Sequence, residues 1–219
     1  MHNSKKTNVR KLVLIAMLAA VAFIMVSFVR IPVVLFLKYE PKDVIITIGG
    51  FLMGPMAVLI SSTVVALIEM FTISDTGIIG CIMNFLSTCA FALPAALCYK
   101  RRHTMKGSIL GLIIATVTMV CTMLLWNYLI TPLYMTGTSR ADIAGMLVPV
   151  FLPFNLLKAG LNSAFILLLY KPLVVSLRKA GLLPATASGV RSAKSGVMLF
   201  AALLLVTCIL FVLVLQGII

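Results

Sequence analysis

The chain has 219 residues, 62% of them hydrophobic and 11% charged, with a mean hydropathy of +1.19, which excludes a soluble globular domain and leaves no length for a water-soluble catalytic one. Its net charge of +13 does not mark a nucleic-acid surface, because the basic residues sit in short clusters between apolar runs and accompany no polar domain. The composition therefore reads as an all-α, polytopic membrane helical bundle forming one membrane domain.

The first apolar run, near 12–29, is longer than a signal-peptide core, and no A-x-A-like cleavage site followed by a polar chain is evident, so it is expected to be retained. Ala16 and Ala20 stand four apart on it, a spacing that serves either close approach of a partner helix or ordinary internal packing. Gly107 and Gly111 form a similar, weaker pair. Residues 38–43 form the first loop, and a second segment follows near 43–53. Asp43 to Gly54 is 12 residues, about 18 Å as a helix and short of a hydrocarbon core of about 30 Å. Gly49, Gly50, Gly54 and Pro55 interrupt it, which points to a buried cavity or a tight re-entrant hairpin.

Further helices are expected near 56–71, 78–99, 108–130, 148–171 and 197–217. The stretch from Pro172 to Ser195 is basic and polar, a solvated connector. Domain boundaries follow: 1–173 for a six-helix substrate-binding membrane domain, 174–196 for a basic cytoplasmic loop, and 197–219 for an additional transmembrane helix with a nearly uniform apolar, lipid-facing surface.

Seven segments put thirteen basic residues on one side: Lys5, Lys6, Arg10 and Lys11; Lys100, Arg101, Arg102 and Lys106; Lys171, Arg178, Lys179, Arg191 and Lys194. All five acidic residues fall at or near the opposite ends, with Arg30, Lys38, Lys42 and Arg140. By the positive-inside bias, the N-terminus is cytoplasmic.

In the sixth segment Asn155, Lys158 and Asn162 are spaced i, i+3, i+7, a polar stripe on one face of an apolar helix. Lys158 lies nine residues beyond Pro149, roughly 14 Å along the helix, where a lysine costs about 2.5–3.5 kcal/mol on insertion scales. Such a residue marks function, snorkels outward, or pairs structurally with Glu69. Asn127 and Tyr128 near the external end of the fifth segment, Asn84 one to two turns into the fourth, and the loop carrying Lys38, Tyr39 and Glu40 converge on it from outside. Amides both donate and accept hydrogen bonds, so the set suits a neutral, planar, polar-edged solute, with Trp126, Tyr39 and Phe36 as aromatic surface. Single intramembrane amides also serve as interhelical glue, so a membrane scaffold is the competing class.

Enzymatic readings lack their parts. His2 and His103, the two histidines, both lie in basic flanks, leaving no base or metal ligand at depth. No G-x-x-x-x-G-K-[ST] occurs for nucleotide hydrolysis. The five cysteines form no C-x-x-C pair and read as small apolar fillers rather than metal ligands.

Three stretches resemble the S component of an energy-coupling factor (ECF) vitamin transporter of the riboflavin-specific type. They are Phe36-Leu-Lys-Tyr-Glu-Pro-Lys-Asp43 with the Gly-Gly-Phe-Leu-Met-Gly-Pro run after it, Trp126-Asn-Tyr-Leu-Ile-Thr-Pro-Leu-Tyr134, and Pro153-Phe-Asn-Leu-Leu-Lys-Ala-Gly-Leu-Asn162. The likeness covers roughly residues 8–173. It implies a six-helix bundle in a bacterial-type plasma membrane that binds riboflavin as transported ligand and needs no cofactor. Its implied partners are a transmembrane T protein and two cytoplasmic ATPases, and it has no enzymatic role. It also implies that Asn155 and Lys158 contact the flavin, Asn127 the ligand's polar part, that the first loop caps the pocket, and that Ala16 and Ala20 face the T protein. Another vitamin or a nucleobase-like solute is the alternative ligand. The seventh segment departs from the family's six.

Overall fold

The computed structural model describes residues 2–35, 37–74, 76–102, 105–135, 137–181, 195–216 and 218. The element order is α1 (His2–Phe28), β1 (Ile31–Val34), β2 (Leu37–Tyr39), α2 (Lys42–Met53), α3 (Pro55–Thr72), α4 (Gly77–Arg102), α5 (Met105–Tyr134), α6 (Arg140–Met146), a π-helical turn (Leu147–Phe151), α7 (Leu152–Lys179) and α8 (Ser195–Leu215). Among the described residues six helical stretches are long and apolar enough to cross a membrane, and the second of the seven expected segments is the short α2.

The bundle is organised around α2. Its 12 residues are too few to span, and most of them are buried, because α1, α3, α4 and α7 surround it. Glycine allows that crowding. A Cβ on Gly50 would stand 2.5 Å from Val58 Cγ2 and 3.0 Å from Ala96 Cβ, so α3 and α4 close on bare backbone there. Gly54, at φ +93°, turns the chain out of α2, and Pro55 opens α3 with its fixed φ. The main apolar core runs from Ala19 and Ala22 of α1 through Ile46, Ile48 and Phe51 of α2 to Phe91, Ala95, Met119 and Ile166. In the last turn of α2, Phe51 stacks on Tyr99 at 4.6 Å between ring centroids, and the Tyr99 and Tyr170 hydroxyls meet at 2.7 Å, plugging the bundle at its basic end.

Several boundaries differ from the sequence reading for local reasons. The first loop is an antiparallel hairpin, with Ile31 opposite Tyr39 and Pro32 opposite Lys38. α4 and α5 run past their apolar stretches because their solvated basic ends continue the helix. The sixth segment begins earlier, as α6, capped by Ser139 and Asp142 in a capping box. Pro149 cannot donate a backbone bond, and the chain around it forms a π-helical turn before resuming as α7. α7 reaches Lys179, so the expected loop at 174–196 starts later; residues 182–194 lie outside the described set. Of the two uses open to Gly111, close approach of a partner helix or internal packing, the structure shows packing: its Cβ position lies 3.1 Å from the Ala95 carbonyl oxygen of α4.

α8 lies against α7, with Cys208 over Gly160, and turns Leu199, Phe200, Leu203 and Leu210 outward. Gly50→Ala is expected to destabilise the protein by about 1–3 kcal/mol, since β-branched Val58 cannot give way, and Gly145→Ala, with open space around it, by far less. Thermal unfolding in detergent checks this; equal melting temperatures for the two variants would remove the packing argument.

Candidate functional site

At the hairpin end of the bundle lies a cavity of about 430 Å³. Arg30, Leu37, Lys38 and Glu40 border it from the hairpin region, Met83, Asn84 and Ser87 from α4, Met123, Asn127 and Tyr134 from α5, and Phe154, Asn155 and Lys158 from α7. Its wall exists because α2 stops short and its N-terminal end carries charge instead of spanning further.

Two neighbouring residues of α2 anchor a network of buried charges behind the cavity. Lys42 Nζ lies 2.7 Å from Glu69 Oε1 of α3 and 2.8 Å from Glu40 Oε2, and Asn84 Nδ2 donates to Glu69 Oε2 at 2.7 Å. Arg30 Nε stands 3.2 Å from Glu40 Oε1, while its Nη1 donates to the Ile73 carbonyl at 2.8 Å. Burial pushes the Glu40 carboxyl up, but the charges of Lys42, Lys158 and Arg30 outweigh that and hold it below the ordinary carboxylate range.

Asp43, fully buried, takes the other side. Thr88 Oγ1 donates to its Oδ1 at 2.6 Å, and Lys158 Nζ lies 3.3 Å from its Oδ2. Lys158 also donates to Ser87 Oγ at 3.2 Å. Three cations, Arg30, Lys42 and Lys158, thus face three carboxylates, Glu40, Asp43 and Glu69. These six charges balance one another.

Of the residues picked from the sequence, Lys38, Glu40, Asn84, Asn127, Asn155 and Lys158 line this cavity. Tyr39 and Asn162 stand behind its wall: the Tyr39 hydroxyl donates to Asn162 Oδ1 at 3.1 Å, and Asn162 Nδ2 reaches Asp43 Oδ2 at 3.4 Å. The alternative in which Lys158 pairs structurally with Glu69 is not the pairing found. Glu69 is held by Lys42, and Lys158 faces Asp43, because residues 42 and 43 point to different sides of α2.

The aromatic surface also differs. Trp126 packs on the main core, Tyr39 lies behind the wall and Phe36 is outside the described residues; the rings on the cavity belong to Phe154 and Tyr134. Sequence reading passed over Arg30, Ser87 and Tyr134. The last two stand on helix faces shared with Asn84 and Asn127, three and seven residues away, so a polar stripe at helical spacing was the available signal. Asn127 and Asn155 each donate to a carbonyl of their own helix, Met123 at 2.7 Å and Phe151 at 2.8 Å, so neither amide acts as a strap between helices there.

Ala16 and Ala20 lie on the exposed side of α1, beside Leu12, Val13 and Met17, while Leu18, Ala19 and Ala22 face the core. Among the described residues no group of three or more His, Cys, Asp or Glu side chains comes together as metal ligands.

Removing one partner of a buried pair leaves an uncompensated charge. Lys42→Ala is expected to destabilise the fold by about 3–5 kcal/mol and Lys38→Ala, at an exposed position, by under about 1 kcal/mol. Thermal melts in detergent separate the two, and a wild-type melting temperature for Lys42→Ala would contradict the balanced ion-pair network.

Residues 10–170 match the family described as "ECF transporter, substrate-specific component". The chain is 32% identical over 191 residues to the riboflavin transporter RibU of Staphylococcus aureus (strain TCH60), covering 82% of this chain and 100% of that protein. It is 31% identical over 184 residues to RibU of Streptococcus thermophilus, covering 78% and 86%. Against the riboflavin transporter FmnP of Bacillus subtilis (strain 168), identity is 28% over 187 residues, covering 78% and 97%. A solved structure described as "Structure and mechanism of the S component of a bacterial ECF transporter" aligns with a TM-score of 0.64 at 32% identity, over 78% of this chain and 99% of that one. The family match ends before α8. This multi-pass membrane chain belongs to the family of substrate-specific components of ECF transporters.

Proposed function

We propose that the chain is the riboflavin-binding membrane subunit of an ECF-type transporter, taking up the vitamin when docked to an energy-coupling module. The observation that carries this reading is the cavity of about 430 Å³, bordered by amides and two aromatic rings, beside a network of buried charges paired with one another. Riboflavin is uncharged, with a planar ring system whose edge both donates and accepts hydrogen bonds and a chain of hydroxyls. Pairing the buried charges with opposite ones mutes their pull on an ion and leaves local donors and acceptors for a neutral polar edge. The names of the relatives point the same way.

In this reading Asn84, Asn127, Asn155 and Lys158 contact the ligand, Phe154 and Tyr134 offer ring surface, and the hairpin with Lys38 and Glu40 covers it. Tyr39 and Asn162 act at one remove, by fixing Asp43 and through it Lys158. The positive-inside bias sets the N-terminus in the cytoplasm and the cavity on the outside of the cell. The chain itself is not an enzyme. Energy comes from two cytoplasmic ATPases acting through a transmembrane T protein, which docks on the small-residue face of α1 at Ala16 and Ala20.

Titrating ligand-stripped protein into riboflavin is expected to quench flavin fluorescence saturably. Lys158→Ala should weaken binding roughly 10- to 150-fold, the worth of a charge-assisted hydrogen bond, and Lys171→Ala should leave it unchanged. Equal affinities for the two variants would remove Lys158 from the site, and no quenching by folded wild-type protein would remove riboflavin.

A further inference from the structure

The helix outside the family match touches the element that covers the cavity. Gln216, at the end of α8, donates through Nε2 to the carbonyl oxygen of Pro32 on β1 at 2.6 Å. Pro32 stands opposite Lys38 in the hairpin, and Lys38 lines the cavity. Apolar contacts run parallel to that bond: Leu204, Leu205, Cys208, Val212 and Leu215 of α8 belong to the same cluster as Val33 and Leu37 of the hairpin.

A two-stranded hairpin of seven strand residues is marginal on its own and needs packing to hold its place. From inside, Tyr39 ties β2 to Asn162 of α7. From outside, β1 is held by Gln216 and the apolar face of α8. The bond to Pro32 uses a carbonyl at the strand's edge, where proline supplies no N–H of its own. We propose that α8 is a built-in clamp on the hairpin, with Gln216 as a positioning residue that slows ligand escape from the cavity. The clamp itself stands on these contacts; its effect on release rests on the riboflavin reading above.

Full-length Gln216→Ala and Gln216→Lys test it, the lysine keeping an N–H donor at that point. Hydrogen exchange of backbone amides in 31–39, measured without ligand, is expected to rise in the alanine variant and return toward wild type in the lysine variant. The riboflavin dissociation rate, followed by recovery of flavin fluorescence after dilution into competitor, should rise roughly two- to tenfold in Gln216→Ala, with the association rate little changed. Unchanged exchange in Gln216→Ala overturns the clamp. Faster exchange with unchanged dissociation overturns its role in retention. Absence of riboflavin binding in wild type defeats the ligand reading instead, and the exchange data still decide whether the clamp exists.

Discussion

The structure depends on two adjacent charges at the start of a helix too short to span. Lys42 and Asp43 begin α2 inside the protein, and each is neutralised by a different set of elements: Lys42 by Glu40 and Glu69, Asp43 by Lys158 with Thr88 beside it. A lone charge in that setting would cost several kcal/mol, so α3, α4 and α7 must arrive with their partners in register. The same pairs place Glu40 and Lys158 on the cavity wall. The charges that hold the helices together therefore also position two of the groups that line the cavity.

The two ends of the bundle are built differently for this reason. Around Gly50 the helices close on backbone, and Phe51, Tyr99 and Tyr170 fill the space below it. Above Lys42 there is no more α2, and the helices that flank it bound an opening instead. The hairpin then covers that opening, held through Tyr39 on one side and through α8 on the other. A short central helix thus places a closed end and a ligand-sized cavity in the same bundle.

Much of this was legible in the sequence because membrane helices announce themselves by length and apolarity, and because a lysine and two asparagines on one face of such a helix are costly. The Gly-Gly and Gly-Pro interruptions marked α2 as exceptional, and it is the central helix. Partner choice was not legible. Which carboxylate meets Lys158 depends on the rotation of α2, and no periodicity within a 12-residue segment sets the side on which Asp43 faces α7. The hairpin escaped notice because its strands have four and three residues, too few for an alternating pattern to register. The π-helical turn at Pro149 has a sequence cause, but its effect on where Phe154 and Asn155 point appears only in three dimensions.

In the proposed function, the amide-lined cavity of this family member holds riboflavin. The most direct measurement is to purify the protein in mild detergent from cells that make the vitamin, extract what it carries, and identify and quantify it by mass spectrometry. The account expects riboflavin at close to one per chain. A different solute in that amount would contradict it, as would an empty, folded protein that fails to retain riboflavin when it is added back.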